Sequence, residues 1–521
     1  MIQYCKWIVS GLLLIALMAC QDEEPVSKPI IAYHFNNTLK NSGMVKTAIY
    51  GPQAASFAYS KKDTSLDLSL NASTRQPLAI KLKDNFSLSD YKGFTVAFWV
   101  KKFPSDPQNY TILSHTYQDS TSVQGWKINT PANGSWEWHL SDGLDDWYYQ
   151  PTAKQTINDG KWHLLAFSYD KELEEARLYY DGNNVAVISL QNNKLSLNST
   201  LIHLGIAYSN QHNRDLFNGE IDDLLIWSRV IPDKEIQLLH RQKARKKLQS
   251  ENVKEQFKVM TWNIWDGAVH DGRFVGIKRI TEIIEQTDAD IVVLQKAGQA
   301  APFIADALNY KIYQRSNDLF VLSRFPIINA HNVFQPETVG CIELSLPNEK
   351  SLFICPINLN ASPDLSAYIQ SGVADTDSIL QWESATRGKE SQFILSELNY
   401  QITNANKKPI IIAGDFNSGS HLDWTAKNAR HNYGLAIAYP TSLNFEKNGL
   451  IDTYRSKHPD ETKHFGYTIS PRFDSIMKNR TNFIYYKGQQ LKPVDSYLID
   501  EHPKTFPSDH AALVTTFTWE E

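Results

Sequence analysis

Residues whose side chains can bind metals or transfer protons stand in short motifs along the second half of the chain. Asn263 ends one predicted strand, and Asp415 and Asn417 follow another. Asp509 and His510 form an adjacent pair near the C-terminus. Carboxylate and amide oxygens are the ligands that hard divalent cations prefer, and an imidazole exchanges a proton near neutral pH. These residue types therefore indicate acid–base or metal-assisted chemistry, provided that the fold brings them together.

The elements that must position these side chains alternate between strands and helices. Residues 257–263 are a predicted strand, and residues 274–286 have helical periodicity with isoleucines on one face. The short apolar runs at 290–294 and 409–413 predict buried strands. This alternation indicates an α/β domain with covered sheets, and we place it at residues 256–521.

Five motifs in this half occur in a fixed order. They are residues 261–265 (TWNIW), 289–295 (ADIVVLQ), 322–327 (LSRFPI), 414–417 (GDFN) and 508–510 (SDH). In type and order they resemble the endonuclease/exonuclease/phosphatase superfamily. The resemblance implies a four-layer αββα sandwich, in which two mixed sheets pack face to face with helices outside. It also implies Mg²⁺-assisted cleavage of a phosphate ester.

Five residues match the catalytic positions of that superfamily. The resemblance makes Asn263 the amide of the first strand. It makes Asp415 and Asn417 the pair that orients the attacking water and holds the phosphate. Asp509 and His510 match the terminal carboxylate and histidine, with Asp509 a metal ligand.

Three positions depart from the superfamily pattern. Lys296 stands where a metal-binding Glu is expected, Asn358 where a His is expected, and Asn482 where an Asp is expected. Magnesium requires oxygen ligands and cannot accept an ammonium, and Asn358 cannot exchange protons. Asn482 removes the carboxylate expected to steady His510. Over the four carboxylate positions of the family, the formal charge falls from −4 to −1.

We therefore expect a degenerate metal site and a domain that binds without hydrolysis. Lys296 could reach towards Asp415 or Asp509 and fill the space of a cation. The alternative is an active divalent-metal-dependent phosphodiesterase or phosphomonoesterase. In that alternative His421 supplies the missing imidazole, or Lys296 binds the phosphate in place of a metal.

Length and charge limit the remaining possibilities. A chain of 521 residues exceeds the roughly 250–300 residues at which single cores stop growing, so two domains are expected. The net charge of −5 argues against a nucleic-acid partner, which normally requires clustered basic residues. A phosphoester-containing small molecule or glycan is the expected ligand of the second domain.

The N-terminus predicts export and lipidation. Residues 8–19 form an apolar run after Lys6, too short to span a bilayer comfortably, and the run ends in Leu-Met-Ala before Cys20. This resembles the lipobox of bacterial lipoproteins. We expect residues 1–19 to be a signal peptide, Cys20 to be lipidated and residues 20–28 to be a tether. The acidic tether resembles an export tag, which favours a surface-exposed protein anchored in a bacterial outer membrane.

Residues 29–239 predict a β-sandwich. Short strand-like runs alternate with turn residues, and helical periodicity is nearly absent. Sequence motifs such as those at residues 159–163 (DGKWH), 178–182 (LYYDG) and 217–224 (FNGEIDDL) resemble the laminin-G/concanavalin-A-like lectin superfamily. The resemblance implies an all-β jelly-roll domain that binds carbohydrate or another extracellular ligand.

Two candidate ligand sites follow for the sandwich. Aromatic rings can stack on sugar rings, so Trp136, Trp138, Trp147 and Tyr149 are a candidate sugar-binding platform. The alternative is that these rings fill the core. The adjacent pair of Asp222 and Asp223 could bind Ca²⁺ or orient a turn.

Two further features remain. A helical run begins at residues 233–235 (DKE) and continues into residues 240–255, which are basic and predict a linker helix, solvated or touching anionic headgroups. Cys341 and Cys355 stand on two predicted strands at 340–346 and 351–359, where they face each other across a hairpin or remain two buried thiols.

Overall fold

The computed structural model describes residues 27–51, 56–59, 64–68, 78–104, 109–118, 122–206, 217–244 and 256–520. The predicted signal peptide, Cys20 and most of the tether lie outside these residues. Within the described part of the chain, no helix combines the length and the apolar character needed to cross a membrane.

The first domain is a β-sandwich, as predicted. Its strands are β1 Ile31–Tyr33, β2 Ala48–Tyr50, β3 Ser56–Tyr59, β4 Thr64–Asp67, β5 Leu78–Lys81, β6 Gly93–Lys102, β7 Tyr110–Gln118, β8 Val123–Thr130, β9 Glu137–Asp142, β10 Asp146–Tyr149, β11 His163–Asp170, β12 Glu175–Tyr180, β13 Asn183–Ser189, β14 Leu201–Leu204 and β15 Gly219–Trp227. The larger sheet has the order β13-β12-β11-β6-β15-β4-β3, with β1 also on β15, and the smaller has the order β10-β9-β8-β7-β14-β5-β2. Large buried side chains such as Phe94, Trp126 and Phe167 fill the space between them.

Helix α1, Asp233–Ala244, covers the outer face of the larger sheet. Ile236 is fully buried there against Trp99 and Tyr179. The ring of His240 stacks on Trp99 at a centroid distance of 5.6 Å. The helix thus begins at Asp233, where the helical run is predicted to begin, and it packs on the sandwich; residues 245–255 lie outside the described part.

The second domain has the predicted four layers. Its strands are β16 Gln256–Asn263, β17 Ile291–Gln295, β18 Lys311–Gln314, β19 Leu319–Ser323, β20 Ile327–Ala330, β21 Ile342–Ser345, β22 Ser351–Asn358, β23 Ile410–Asp415, β24 Ile451–Asp452, β25 Asn482–Lys487, β26 Leu491–Ile499 and β27 Ala512–Trp519. One sheet has the order β26-β27-β16-β17-β19-β18 and the other β20-β21-β22-β23-β25-β24. Val259, Val293, Ile354 and Ile411 belong to the apolar core between the two sheets.

Helices cover both outer faces of this domain. They are α2 Arg273–Thr287, α3 Ala300–Leu308, α4 Ser366–Gln370, α5 Thr376–Ala385, α6 Arg387–Glu397, α7 Asn399–Thr403, α8 Pro440–Lys447 and α9 Thr453–Lys457. The isoleucine face of α2 packs on the first sheet, and Ile394 of α6 and Phe445 of α8 pack on the second. The periodicity at 274–286 thus predicted both the helix and its buried face.

A strand pairing joins the two domains. Strand β13 of the sandwich pairs in parallel with β18 of the second domain, with Ala186 opposite Ile312 and Ile188 opposite Gln314. The larger sandwich sheet and the first sheet of the second domain therefore form one continuous sheet. Val187 lies in the core between the two sheets of the second domain, whereas Ala186 and Ile188 lie in the sandwich core.

Buried polar side chains reinforce this domain junction. Arg315 donates from Nε to Val339 O at 2.8 Å, from Nη1 to Ser189 Oγ at 2.8 Å, and from Nη2 to Val333 O. From the other side, Arg177 donates to the carbonyls at 327 and 328, at 3.1 and 3.0 Å. Asp306 accepts hydrogen bonds from Thr152 and Gln155 of the sandwich. Each domain thus supplies hydrogen-bond partners for buried polar groups of the other domain.

We predict that the full chain unfolds in one calorimetric transition and that Arg315→Met separates it into two. The substitution leaves buried carbonyl and hydroxyl groups without a donor, at a cost of roughly 1–3 kcal/mol. Differential scanning calorimetry measures the transitions. The exposed Arg430 supplies the control, because Arg430→Met should leave the wild-type profile unchanged. Two resolved transitions in the wild type would contradict the prediction.

Candidate functional site

Five strands meet at one edge of the two facing sheets of the second domain, and each places one polar residue there. These residues are Asn263, Gln295, Asn358, Asp415 and Asn482. Asn263 is opposite Gln295, and Asp415 is opposite both Asn358 and Asn482. Residues two or four positions away on the same strands lie in the core between the sheets. Because side chains alternate along a strand, all five face into the same cleft.

Gly414 allows two of these strands to approach. A Cβ atom at this position would lie 1.8 Å from the carbonyl oxygen of Ile357 on β22. Any larger residue would force β22 and β23 apart. The glycine of the motif at 414–417 therefore keeps Asp415 beside Asn358.

Asp415 is fully buried and held by two predicted partners. Its Oδ2 accepts a hydrogen bond from Asn263 Nδ2 at 2.9 Å, and its Oδ1 accepts one from the backbone N–H of Asn417 at 3.1 Å. Asn417 has a φ of 48°, and its Nδ2 donates to the carbonyl of Leu359 at 2.7 Å. The structure thus brings Asn263, Asp415 and Asn417 together, as the motifs predict.

His510 is buried and oriented by Asn482. Its Nδ1 lies 2.8 Å from Asn482 Oδ1 and 3.7 Å from Asp415 Oδ2. Because an amide oxygen can only accept, Nδ1 donates this hydrogen bond and carries a proton. The carboxylate expected beside His510 is absent, but Asn482 keeps the hydrogen bond, so what is lost is the negative charge.

Lys296 follows directly after β17 in a left-handed conformation with a φ of 50°. Its side chain is half-buried, and its ammonium makes no ion pair or hydrogen bond with any residue that the structure describes. The expected contact with Asp415 or Asp509 is therefore not formed. A half-buried ammonium without a partner is available to an anionic group.

Four unpaired polar atoms belong to described residues of this cleft. Asn358 Oδ1, Asp509 Oδ1, Gln295 Oε1 and Asn482 Nδ2 are buried and have no hydrogen-bond partner within the described part of the chain. Buried polar groups in proteins are nearly always paired. Three oxygen acceptors and one NH₂ donor of the cleft thus have no hydrogen-bond partner among the described residues. This indicates that the cleft binds a polar ligand. Gln295 was not among the predicted site residues, although it closes the same strand that precedes Lys296.

A strained turn borders the cleft between Asn263 and Lys296. Trp265 to Ala268 all have positive φ, between 51° and 68°. The turn is held by hydrogen bonds from Trp265 N to Asn263 Oδ1 at 3.1 Å and from Gly267 N to Lys296 O at 2.7 Å. Such strain persists only where its surroundings enforce it. The turn therefore ties the loop after β16 to the loop after β17.

His421 does not replace the missing imidazole. Its Nδ1 lies 2.8 Å from Ser442 Oγ, and its Nε2 lies 2.7 Å from Glu446 Oε2 without forming a hydrogen bond; both partners belong to α8. No contact with Asp415 or His510 is recorded among the described residues. The alternative that relied on His421 is wrong.

A buried ion-pair network supports the cleft from behind. Arg480 donates to Asp423 through Nε and Nη2, both at 2.9 Å, and its Nη2 lies 2.7 Å from Asp452 Oδ2. Arg455 Nε donates to the same Asp423 at 2.6 Å. Burial opposes the charge of Arg480, but these two carboxylates raise its pKa. The network fixes the start of β25 and thereby Asn482; the sequence motifs did not reveal it.

The cleft does not fit the Mg²⁺ ion that the superfamily resemblance implies. Lys296 replaces a carboxylate ligand, and an ammonium cannot ligate a cation. Across the described ranges, no group of three or more His, Cys, Asp or Glu side chains could hold a metal ion. Asp509 alone is left as a weak metal-ligand candidate.

The predicted aromatic platform of the sandwich is mostly core. Trp136 and Trp138 are fully buried, and Tyr149 is nearly so. Gln155 joins Trp136 Nε1 and Tyr149 Oη through hydrogen bonds of 3.1 and 2.8 Å. Trp147 is half-buried and packs against the same core. Trp136 directly before β9 and Trp138 on β9 both turn into the core, so neither ring can stack on a sugar.

An internal lysine occupies the predicted calcium pair. Lys243 Nζ lies 2.5 Å from Asp222 Oδ2 and 2.7 Å from Asp223 Oδ2, and His34 Nδ1 lies 2.7 Å from Asp223 Oδ1. Burial raises the pKa of Asp222 to about 7, with the neighbouring Asp223 adding to the effect. The expectation of Ca²⁺ at this pair is wrong, since the ammonium of α1 takes the place of a cation.

A cavity of about 450 Å³ lies beside this ion pair. Ala97, Trp99 and Trp227 line its apolar floor, and His34 and Gln242 stand at its rim. The volume is in the range of roughly 300–1,000 Å³ typical of small-molecule sites. The sequence did not reveal it, because it forms only where α1 packs on the outer face of the sheet.

Comparisons with known proteins agree with this architecture. Residues 78–237 match the concanavalin A-like lectin/glucanases superfamily, and residues 260–510 match the endonuclease/exonuclease/phosphatase family. An uncharacterized protein of Caenorhabditis elegans is 25% identical over 293 residues, which covers 50% of this chain and 91% of that protein.

Solved structures give weaker similarities. A truncated Caenorhabditis elegans TDP2 is 19% identical, with a TM-score of 0.36, over 50% of this chain and 97% of that one. An endonuclease/exonuclease/phosphatase family protein from Bacteroides thetaiotaomicron is 14% identical, with a TM-score of 0.37, over 51% of this chain and 98% of that one. On the two family matches, the chain joins a concanavalin A-like domain to a domain of the endonuclease/exonuclease/phosphatase family.

Proposed function

We propose that the second domain binds a phosphoester without metal-dependent hydrolysis. The observation that carries the proposal is Lys296, whose half-buried ammonium has no partner among the described residues and stands where the family pattern has a metal ligand. An ammonium and a phosphate oxygen form a charge-assisted hydrogen bond, which is stronger than a neutral one. Lys296 thus supplies the positive charge that a metal ion supplies in the family.

The amides of the cleft support the same ligand. Asn358 has no partner for its Oδ1, and a half-turn of its amide presents the NH₂ group to a phosphate oxygen instead. Asn482 Nδ2 is a second buried donor without a partner. The second ring nitrogen of His510, Nε2, makes no hydrogen bond with a described residue. The cleft can therefore donate to a phosphoester from two amides and one ammonium.

An active hydrolase remains the second candidate. Asp415 keeps its two hydrogen bonds, and His510 keeps its hydrogen bond to Asn482, so one general base and one oriented imidazole are still built. Positioned acid–base groups contribute about 10²–10⁴-fold each to a rate. Release of nitrophenol from its phosphate esters, abolished by a chelator and by Asp509→Ala, would establish this candidate and overturn the first.

We predict that Lys296→Met weakens the binding of inorganic phosphate by roughly 10- to 100-fold. Loss of one charge-assisted hydrogen bond costs roughly 1.5–3 kcal/mol, and 1.4 kcal/mol is a tenfold change in Kd. Titration calorimetry at fixed ionic strength measures the affinity. The control is Lys278→Met on α2, an exposed lysine with 77% of its side chain accessible, which should bind as the wild type does. Equal affinities of the wild type and Lys296→Met would remove the basis of the proposal.

We also predict that Lys296→Glu, Asn358→His and Asn482→Asp together create Mg²⁺ binding. The triple variant restores two carboxylates and removes the ammonium, so the oxygen ligands that Mg²⁺ requires are again present. Calorimetric titration with MgCl₂ measures it, and Lys278→Glu controls for added surface charge. A triple variant that binds no more Mg²⁺ than the parent would show that these positions are wrongly matched to the family.

For the whole chain, we propose a lipid-anchored protein exposed on a bacterial outer membrane, whose sandwich domain binds carbohydrate or another extracellular ligand. The apolar run before Cys20 and the acidic residues after it support the anchor. The cavity beside α1 supports ligand binding, because it combines an apolar floor with polar groups at its rim.

We predict that Gln242→Trp abolishes glycan binding by the full chain on a glycan array. Gln242 stands at the rim of the cavity, and an indole there blocks the entrance without disturbing the floor. Lys234→Trp on the same helix is the matched control, because Lys234 is exposed and does not line the cavity. Absence of any bound glycan, or equal binding by Gln242→Trp, would argue against this role.

A further inference from the structure

Cys341 and Cys355 lie directly opposite each other on neighbouring antiparallel strands. Strand β21 pairs with β22 so that Ile342 is opposite Ile354, and the bridge between Val339 and Ile357 continues the same register. Cys341 is therefore the cross-strand neighbour of Cys355. Both are fully buried, and their Sγ atoms are in contact at 2.8 Å.

The hydrogen-bond pattern shows which kind of pair this is. Gly340 N donates to Pro356 O at 3.1 Å, and Asn358 N donates to Thr338 O at 2.9 Å. Hydrogen-bonded and non-hydrogen-bonded pairs alternate along an antiparallel ladder. Cys341 and Cys355 therefore form a non-hydrogen-bonded pair, in which Cα atoms lie about 4.5 Å apart.

That separation is within the range of about 4.4–6.8 Å over which a disulfide joins two Cα atoms. Both side chains also point to the same face of the sheet, towards the apolar cluster that includes Ile394 of α6. No backbone movement is needed to join them. The two sulfurs are positioned for a bond by the register of the sheet itself.

We propose that Cys341 and Cys355 are joined by a cross-strand disulfide in the exported protein. The reaction is thiol–disulfide exchange with a disulfide oxidant: one cysteine thiolate displaces a thiol from the oxidant, and the other cysteine displaces the second thiol from the mixed disulfide. The two cysteines lose two electrons and two protons, and the oxidant is reduced to two thiols. Burial raises the pKa of the Cys355 thiol well above its usual value, which disfavours the attacking thiolate while the thiol is buried.

The consequence for the cleft follows from position. Cys355 lies three residues before Asn358 on the same strand, with its side chain on the opposite face. The bond clamps β22 to β21 just before β22 enters the cleft. The proposed disulfide rests on the proposed export, which supplies an oxidising environment. Its geometry rests on the register of β21 and β22.

Peptide mapping of the full chain tests both parts. Lys350 separates the two cysteines, so trypsin yields peptides 325–350 and 351–387, which stay linked only through the disulfide. We expect the linked pair, without reductant, from protein purified from the membranes of producing cells. We expect it also from full chain that is denatured, reduced and refolded with oxidised glutathione. Cys341→Ala is the control, and its Cys355 should be alkylated without reductant.

Each of the two preparations, the refolded chain and the membrane protein, can contradict the proposal. Two separate, alkylated peptides after refolding with oxidised glutathione would overturn the geometric basis. Separate peptides from the membrane protein alone would overturn the claim for the exported protein, while leaving phosphate binding by Lys296 a separate question. Linked peptides in both arms establish the bond.

Discussion

The parallel pairing of β13 with β18 is the constraint on which the arrangement of the two domains depends. Both strands would otherwise be sheet edges with unpaired N–H and C=O groups, which invite association with other chains. The pairing covers both edges at once and lets β13 contribute to two cores, through Ala186 and Ile188 on one face and Val187 on the other. Arg315 closes the junction from within. The sandwich is therefore part of the structural support of the second domain.

The same continuous sheet carries one side of the cleft. Strands β16 and β17, which present Asn263 and Gln295, belong to the sheet that β18 extends into the sandwich. The other side depends on the second sheet, where Gly414 and the network around Arg480 fix Asp415 and Asn482. Neither side alone assembles the site. The geometry of the site depends on how the two sheets face each other. Its rigidity depends on buried ion pairs outside the site, such as those of Arg480.

The sequence predicted the parts of the structure that depend on local patterns. Alternation and helical periodicity located the strands and α2, and the motif order located Asn263, Asp415 and His510 at one edge. It could not predict contacts between residues far apart in the chain. Lys243 meets Asp222 only because α1 folds back on the sheet. Trp136 and Trp138 were ambiguous because their spacing of two fits a core face as well as a platform. The sequence also did not show that the amide oxygen of Asn482 accepts from His510 as a carboxylate would.

The three substitutions in the cleft have a common explanation in its electrostatics. A cleft with four carboxylates and no metal would repel a phosphoester strongly, because the low dielectric of a buried site magnifies like-charge repulsion. Losing the metal while keeping the carboxylates would thus end binding as well as catalysis. In this chain Lys296 and Asn482 reduce the formal charge of those positions to −1, and Asn358 keeps a polar group of similar reach where a proton-transfer group is expected. The hydrogen bonds that shape the cleft survive, while its charges no longer suit a cation. Such a pattern is the one that the proposed function requires, namely recognition of an anion without a metal-dependent step.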